Sequence, residues 1–377
     1  MDALCPPIQP NGNPVVCHPV EGYPLGVSVD FAPIQEGEGD PSPDNIRPIK
    51  GRDSVQVERC GENLLNISQL IPNGYNLAGS NSLKPNTTYT FKPVSCAGIA
   101  FAVFLSDNIE PTQATKQLNL TGKYIEEGKS ATFTTPSNVN SYSVIWLAGV
   151  KSGIHLAYPN VQFMLVAGTT APTAYTPYTG QITSLTLPAP CYGGELDAVS
   201  GKGQETWKLV TLDGTENWRS WGVDFTTPGI TGFYDFSVID YDVKQVASAI
   251  CSHFGHPPAA WGGGSAGIGF ASVSSTRYLI LSVKNDLLAD TSSTAAAIDS
   301  LKAYLAAQYA AGTPVTVAYI KSTPTPITAT GSKPIPALAG TNTVLTDGDA
   351  LTVTGRTDPT HEIQQLRAAV VALGGTI

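Results

Sequence analysis

Charge is scarce in this sequence. Asp, Glu, Lys and Arg make up 14% of the 377 residues, against about a quarter in an ordinary soluble domain. What charge there is leans acidic, 30 Asp and Glu against 21 Lys and Arg, for a formal net charge of −9. A phosphate backbone would be repelled, and no basic cluster stands out, so nucleic-acid binding is not expected. No apolar run approaches the roughly 20 residues that a bilayer-spanning helix needs, so no membrane insertion is expected. The opening MDALCPPIQPNGNP has neither a basic n-region nor an apolar h-region. It is therefore read as lacking a secretory leader, on a chain made in the cytoplasm. Cys5, Cys17, Cys60, Cys96, Cys191 and Cys251 include no C-x-x-C pair, which argues against a zinc ribbon or a thioredoxin-like motif. Buried free thiols are the expectation.

Hydrophobic residues reach 42%, ample for a core, and Thr, Ser, Asn, Gly and Pro stand where charges usually would. The reading is mainly β with a smaller α+β part, in four stretches. Residues 1–61 are dense in Pro and Gly, which block interior helix and central strand alike. They are read as an extended N-terminal attachment arm that wraps a neighbouring subunit, or equally as a leader draped over the chain's own domain, with one strand-like alternation over Tyr23–Phe31 and Ile8, Pro24, Leu25 and Phe31 as candidate assembly contacts. Residues 62–180 carry several runs of strand length separated by turn residues. Among them are Thr87–Phe91, Gly98–Leu105, Ser130–Thr134, Tyr142–Leu147 and Val161–Leu165, and together they argue for an antiparallel β-sandwich.

Residues 181–357 are mixed. Strands are expected at Ser184–Leu187, Thr206–Leu212, Tyr234–Ile239, Tyr278–Val283 and Val315–Ile320. Helices are expected at about Asp242–Phe254 and Ser293–Ala311, the second with Ile298, Leu301, Leu305 and Tyr309 in one stripe. Asn342–Thr346 and Ala350–Thr354 flank Asp347-Gly348-Asp349, which reads as a hairpin. In the last stretch, 358–377, Asp358-Pro359 reads as the cap and first residue of an amphipathic helix. Ile363, Leu366, Val370 and Leu373 line one face of it. A helix this short is marginal alone, so that face is expected to dock, on its own domain or between subunits.

The candidate chemistry is thin. Cys251, His253 and His256 are close in sequence, but on a helix end Cys251 and His253 would point about 200° apart, poor for chelation. Gly262–Gly267 spells G-x-G-x-x-G without the preceding strand or following helix that a dinucleotide site requires. Glu126 with Glu127 and Asp240 with Asp242 are the nearest acidic pairs, and neither suits a glycosidase. No G-x-S-x-G elbow is present. Neither catalysis, metal nor cofactor is expected. Trp146, Trp218 and Trp221 are candidate glycan contacts, since aromatic rings stack on sugar faces; Trp207 and Trp261 complete the set.

A series of phrases is familiar. Gly39-Asp40-Pro41-Ser42-Pro43-Asp44-Asn45-Ile46-Arg47-Pro48-Ile49 is followed by Val55-Gln56-Val57 and Gly61-Glu62-Asn63-Leu64-Leu65. Thr169–Tyr178, Cys191-Tyr192-Gly193-Gly194-Glu195-Leu196-Asp197, Gly340–Val344 and Val353–Pro359 follow in order. This order resembles tail, baseplate and fibre-type structural proteins of tailed phages and prophages of Gram-positive bacteria. Those typically read "P-S-P-x-N-x-x-P-I", "G-K-N-L-L", "G-x-x-A-T-x-Y-E-P-Y", "V-Y-G-G-x-L-D" and "V-x-Y-R-x-D-P". Glu62 replaces the usual Lys, Thr176 the usual Glu, and 203–338 matches least. The resemblance implies a jelly-roll, carbohydrate-binding-module-like domain in 62–180 and a non-enzymatic virion role in assembly and host attachment. It implies other phage structural proteins as partners, a homo-oligomer (trimer favoured) and host cell-surface glycan as a further contact. A carbohydrate-binding receptor module and a head fibre or capsid decoration protein are the alternatives.

Overall fold

The computed structural model describes residues 7–8, 11–73, 76–110, 113–150, 161–224, 233–239, 249–255, 267–273 and 276–375. The protein is mainly β, built of antiparallel sheets with two α-helices among the described residues.

Segments from both ends of the sequence weave one body. Its larger sheet runs in the order Pro7–Ile8, Ala350–Arg356, Pro24–Phe31, Gly194–Asp197, Lys202–Leu212, Val315–Thr328 and Ala249–Cys251. A facing sheet orders Gln181–Cys191, Arg52–Cys60, Asn342–Thr346 and Val15–Cys17. Alternation decides which side chains go in: along Pro24–Phe31, Leu25, Val27, Val29 and Phe31 are buried. They meet Val15, Val55, Val57, Leu185, Leu196, Val344, Leu351 and Val353 from the other strands. The expected N-terminal arm is therefore not an arm. Its strands are paired partners in this body, because enough of its residues alternate to fill a core between the prolines.

The expected hairpin at Asp347-Gly348-Asp349 is also corrected. Asn342–Thr346 pairs with Arg52–Cys60 and Val15–Cys17, whereas Ala350–Arg356 pairs with Pro24–Phe31 in the opposite sheet. Each aspartate is tied to a different sheet. Asp347 accepts the Gln56 N–H on its carboxylate at 2.7 Å, and Asp349 accepts the Ala32 N–H. The turn thus crosses the core instead of joining neighbours.

The sandwich is an insertion in this body. Arg52–Cys60 and Gln181–Cys191 pair antiparallel with Arg59 opposite Gln181, so residues between them leave and return at one hairpin tip. One sheet is Ala131–Thr134, Thr88–Ser95 and Gln162–Ala167. The other is Gln117–Asn119, Ala100–Ser106, Val144–Val150, Asn76–Ser80 and Ile71–Asn73. Tyr89, Phe91, Phe101, Leu105, Leu147 and Phe163 fill the space between them, with Phe101 edge-on to Phe163 at 4.7 Å between centroids.

The third part grows from two long strands of the body. Lys202–Leu212 and Val315–Thr328 pair in the larger sheet at one end, break register between Glu205 and Trp207, and continue into a separate core. There α1 (Thr294–Ala310), capped by the Ser293 hydroxyl on the Ala296 N–H, buries Ala297, Leu301 and Leu305 against Leu279, Leu281, Val283, Val315 and Val317. Ile298 is partly buried in the same cluster, whereas Tyr309 is exposed. A four-stranded sheet of Arg219–Asp224, Phe233–Ile239, Thr276–Lys284 and Gly267–Val273 completes the described part. The helix expected over Asp242–Phe254 lies in part outside the described residues. Its end is corrected: Ala249–Cys251 is a strand whose Ile250 pairs with Ala318.

The last helix, α2 (Pro359–Ala372), stands where expected. Asp358 caps it by accepting the Thr360 N–H at 2.9 Å, and Pro359 opens it.

Candidate functional site

The phrases singled out in the sequence sit at joints between parts of the fold or at tight packing points within its body. Asn63 is fully buried and uses its whole amide. Its Nδ2 donates to the carbonyls of Phe163 and Thr176, and its Oδ1 accepts from the N–H groups of Leu65 and Leu165. One side chain thereby clamps the strand entering the sandwich to the segment leaving it. Beside it, the Thr176 hydroxyl donates to Glu62 and the Tyr178 hydroxyl to Glu58. Burial, reinforced by Glu58, pushes the Tyr178 phenol up, so it stays a donor.

In the Cys191–Asp197 phrase both glycines are sterically required. Gly193 lies at φ 152°, and a Cβ there would sit 2.4 Å from Trp207 Cδ1 and 2.9 Å from the Phe31 carbonyl oxygen. A Cβ on Gly194 would come within 2.0 Å of the Gln204 carbonyl oxygen. Leu196 fills the body core, and the Asp197 carboxylate accepts from the Val199 and Ser200 N–H groups to close the turn. Arg47 gathers the carbonyls of Gln35, Glu36, Gly37 and Gly39 around its guanidinium, and its own N–H donates to the Ser252 carbonyl. That phrase fastens the body to the third part. Near the other end, the Arg356 guanidinium stacks 4.6 Å over the Tyr23 ring.

The candidate glycan contacts fare differently. Trp146 is buried in a central strand of the sandwich, and Trp218 is buried with its indole N–H donating to Glu216 at 3.1 Å. Neither ring is available to a sugar. They were indistinguishable from exposed tryptophans in sequence because a Trp reads alike in both settings. The Trp221 side chain and all of Trp261 lie outside the described residues.

Cys251 and His253 are buried at the end of a strand. Desolvation pushes the Cys251 thiol up to about 11 and the His253 imidazole below its ordinary value. His253 Nδ1 bonds the Ser252 hydroxyl at 2.8 Å, and that hydroxyl also accepts the Thr316 N–H. This is a strand-end clamp between the edge strand and its neighbour. His256, Asp240, Asp242 and residues 262–266 of the glycine run lie outside the described residues. Among the described residues no three His, Cys, Asp or Glu side chains come together as a metal site. Glu127 accepts the N–H groups of Cys96 and Gly98, which hold its carboxyl below the usual range. It pins a turn, and Glu126 is its exposed neighbour.

Two features were not anticipated. A cleft of about 470 Å³ opens between the sandwich and the smaller body sheet, lined by residues including Gln56, Glu58, Asn66, Gln69, Lys84 and Asp347. Burial lowers the Lys84 ammonium, with Asp347 and Glu58 pulling the other way. Residues 58, 84 and 347 are too far apart in sequence for spacing to bring them together. The second feature is at the proposed assembly contacts. Leu25 and Phe31 are buried in the chain's own core, Ile8 packs at its margin and Pro24 is exposed. On α2 and its C-cap, by contrast, Ile363, Leu366, Val370 and the cap residue Leu373 are all exposed, Leu366 at 65% and Leu373 at 89%. No residue of that helix is buried, and among the described residues nothing covers its apolar face.

No family model, no curated protein and no solved structure matches this chain.

Proposed function

We propose that this protein is a non-enzymatic structural component of a tailed-phage virion, of the tail tip, baseplate or tail fibre, serving assembly and host attachment. One observation carries the reading. The phrases that resemble tail-region proteins of Gram-positive phages hold residues that fasten the fold: Arg47 ties the body to the third part, Asn63 clamps the entry and exit of the sandwich, and Gly193, Gly194 and Arg356 lock the body itself. Residues that fix how domains are joined are what a load-transmitting spacer must keep, whereas an enzyme must keep groups around a cleft. The hydroxyl- and amide-rich, charge-poor sequence suits a chain that spends its working life packed in a large assembly.

Its partners would be other phage structural proteins and further copies of itself. A glycan-binding role remains the second reading, and the cleft beside Lys84 supports it better than the buried Trp146 and Trp218 do. Mass spectrometry of purified particles from a producing strain tests the main reading. Peptides of this chain should be present in proportion to the tail proteins, and density for the body and its inserted sandwich should lie at the tail end. Absence from the particles overturns the reading, and density on the head turns it into a decoration role.

A further inference from the structure

We infer that α2 is a self-association element that pairs in parallel with the α2 of a second copy of this chain, forming a short two-stranded coiled coil. This deepens the oligomeric part of the proposed function by naming the surface, the register and the number of strands, and it needs no virion to be tested.

The apolar positions come first. Ile363, Leu366, Val370 and Leu373 follow the alternating spacing of three and four that defines the a and d positions of a heptad. All four are exposed in the single chain. The a positions are β-branched, Ile363 and Val370, and the d positions are Leu366 and Leu373. That division favours two parallel strands over three or four.

The seam is also free to be used. The helix touches the body at His361, whose ring stacks on His18 at 3.6 Å between centroids and which is its only partly buried residue. At 3.6 residues per turn, His361 lies about 160° from the centre of the a/d stripe. The body therefore holds the helix from behind and leaves the seam facing outward. The cap at Asp358, whose own N–H donates to the His18 carbonyl at 2.9 Å, fixes the exit direction.

Charge then selects the partner and its orientation. Glu362 occupies the position before the first a residue and Arg367 the position after the first d residue, one on each flank of the seam. They are five residues apart, too far for the i to i+3 or i+4 pairing of a single helix. Neither takes part in a salt bridge among the described residues. In a parallel pair of identical helices, a residue at the first position meets the partner's residue five further along. Glu362 of each copy then faces Arg367 of the other, twice by symmetry. Antiparallel pairing would set Glu against Glu and Arg against Arg. The helix is thus complementary to itself in one arrangement.

The experiment uses the full chain and sedimentation equilibrium over a concentration series, with circular dichroism to confirm that each variant keeps its helices. The wild type should give a reversible species of two copies. Leu366→Glu, on an exposed position, should leave the fold intact and yield a monomer. Glu362→Arg and Arg367→Glu should each weaken association about tenfold or more, since two attractions become two repulsions. The double variant, and an equimolar mixture of the two single variants, should recover it. A wild type that stays monomeric, a species of three copies, or single charge reversals without effect would each overturn the inference. None of these outcomes bears on whether the chain is found in particles, which the mass spectrometry decides separately.

Discussion

At the scale of single residues, the side chains that matter most are those whose polar atoms are consumed by backbone. Asn63→Ala would strip four hydrogen bonds from a buried joint and should cost about 2–4 kcal/mol in urea denaturation, since buried backbone groups are left unpaired. Gly193→Ala forces a Cβ into Trp207 and should cost about 2–3 kcal/mol by the same measurement. The thiols make a different prediction. Cys17, Cys60, Cys96, Cys191 and Cys251 are free and buried, and burial raises each of them. In a Cys5→Ser variant they should therefore resist Ellman's reagent at neutral pH until the chain is unfolded; rapid labelling of that native variant would contradict their burial. Thiol burial was legible in the sequence, because scattered cysteines without metal spacing default to cores. The Asn63 clamp was not, because three of its four partners lie 100 to 113 residues away.

Histidines add a pH dependence at the same scale. Burial lowers His18, His361 lowers it further, and Asp358 and Glu362 oppose the shift; burial likewise lowers His253. A group whose folded value is depressed binds its proton more readily when unfolded. Its stabilising contribution is complete above the ordinary value of 6.5 and is lost as pH falls below that toward the folded value. The melting temperature should accordingly decline as pH is lowered from 6.5, and His18→Gln should flatten part of that decline.

At the scale of elements, the two helices have similar sequence patterns and opposite fates. Leu301 in α1 is fully buried and Leu366 in α2 is 65% exposed. Leu301→Ala should cost about 2–5 kcal/mol, whereas Leu366→Ala should change monomer stability by no more than about 0.5 kcal/mol. Periodicity found both helices, since stripe and caps are local signals. It could not say which stripe was covered, because covering is a property of the rest of the chain. Periodicity also misread Ala249–Cys251, where a three-residue edge strand is too short to display its own period and borrowed one from its neighbours. The Asp-Gly turn misled for a related reason. Turn chemistry fixes that the chain reverses, and only the contacts of Asp347 and Asp349 fix which sheet each side joins.

At the scale of the whole molecule, many of the strands were legible, Asn76–Ser80 and Gly267–Val273 among those missed, and their partners were not. Alternation in Pro24–Phe31 predicts a half-buried strand but cannot reveal that Val27 pairs with Val353. The insertion of the sandwich is equally invisible, because Arg59 and Gln181 are neighbours only once the sheet exists. That topology makes the sandwich removable. Replacing residues 62–179 with an Asn-Gly turn should leave a folded body with native-like β circular dichroism, and the excised segment should fold alone; loss of cooperative melting in the shortened body would refute the insertion.

The order of synthesis gives the same weave a further consequence. On the ribosome, Val15–Cys17 and Arg52–Cys60 emerge early, but Asn342–Thr346, which lies between them, emerges last of the three. The sandwich can complete itself while the earlier strands still wait with open edges, so those edges must be kept from other chains until Asn342–Thr346 arrives. The prolines and glycines scattered through the first sixty residues, which weaken pairing with stray strands, suit that delay.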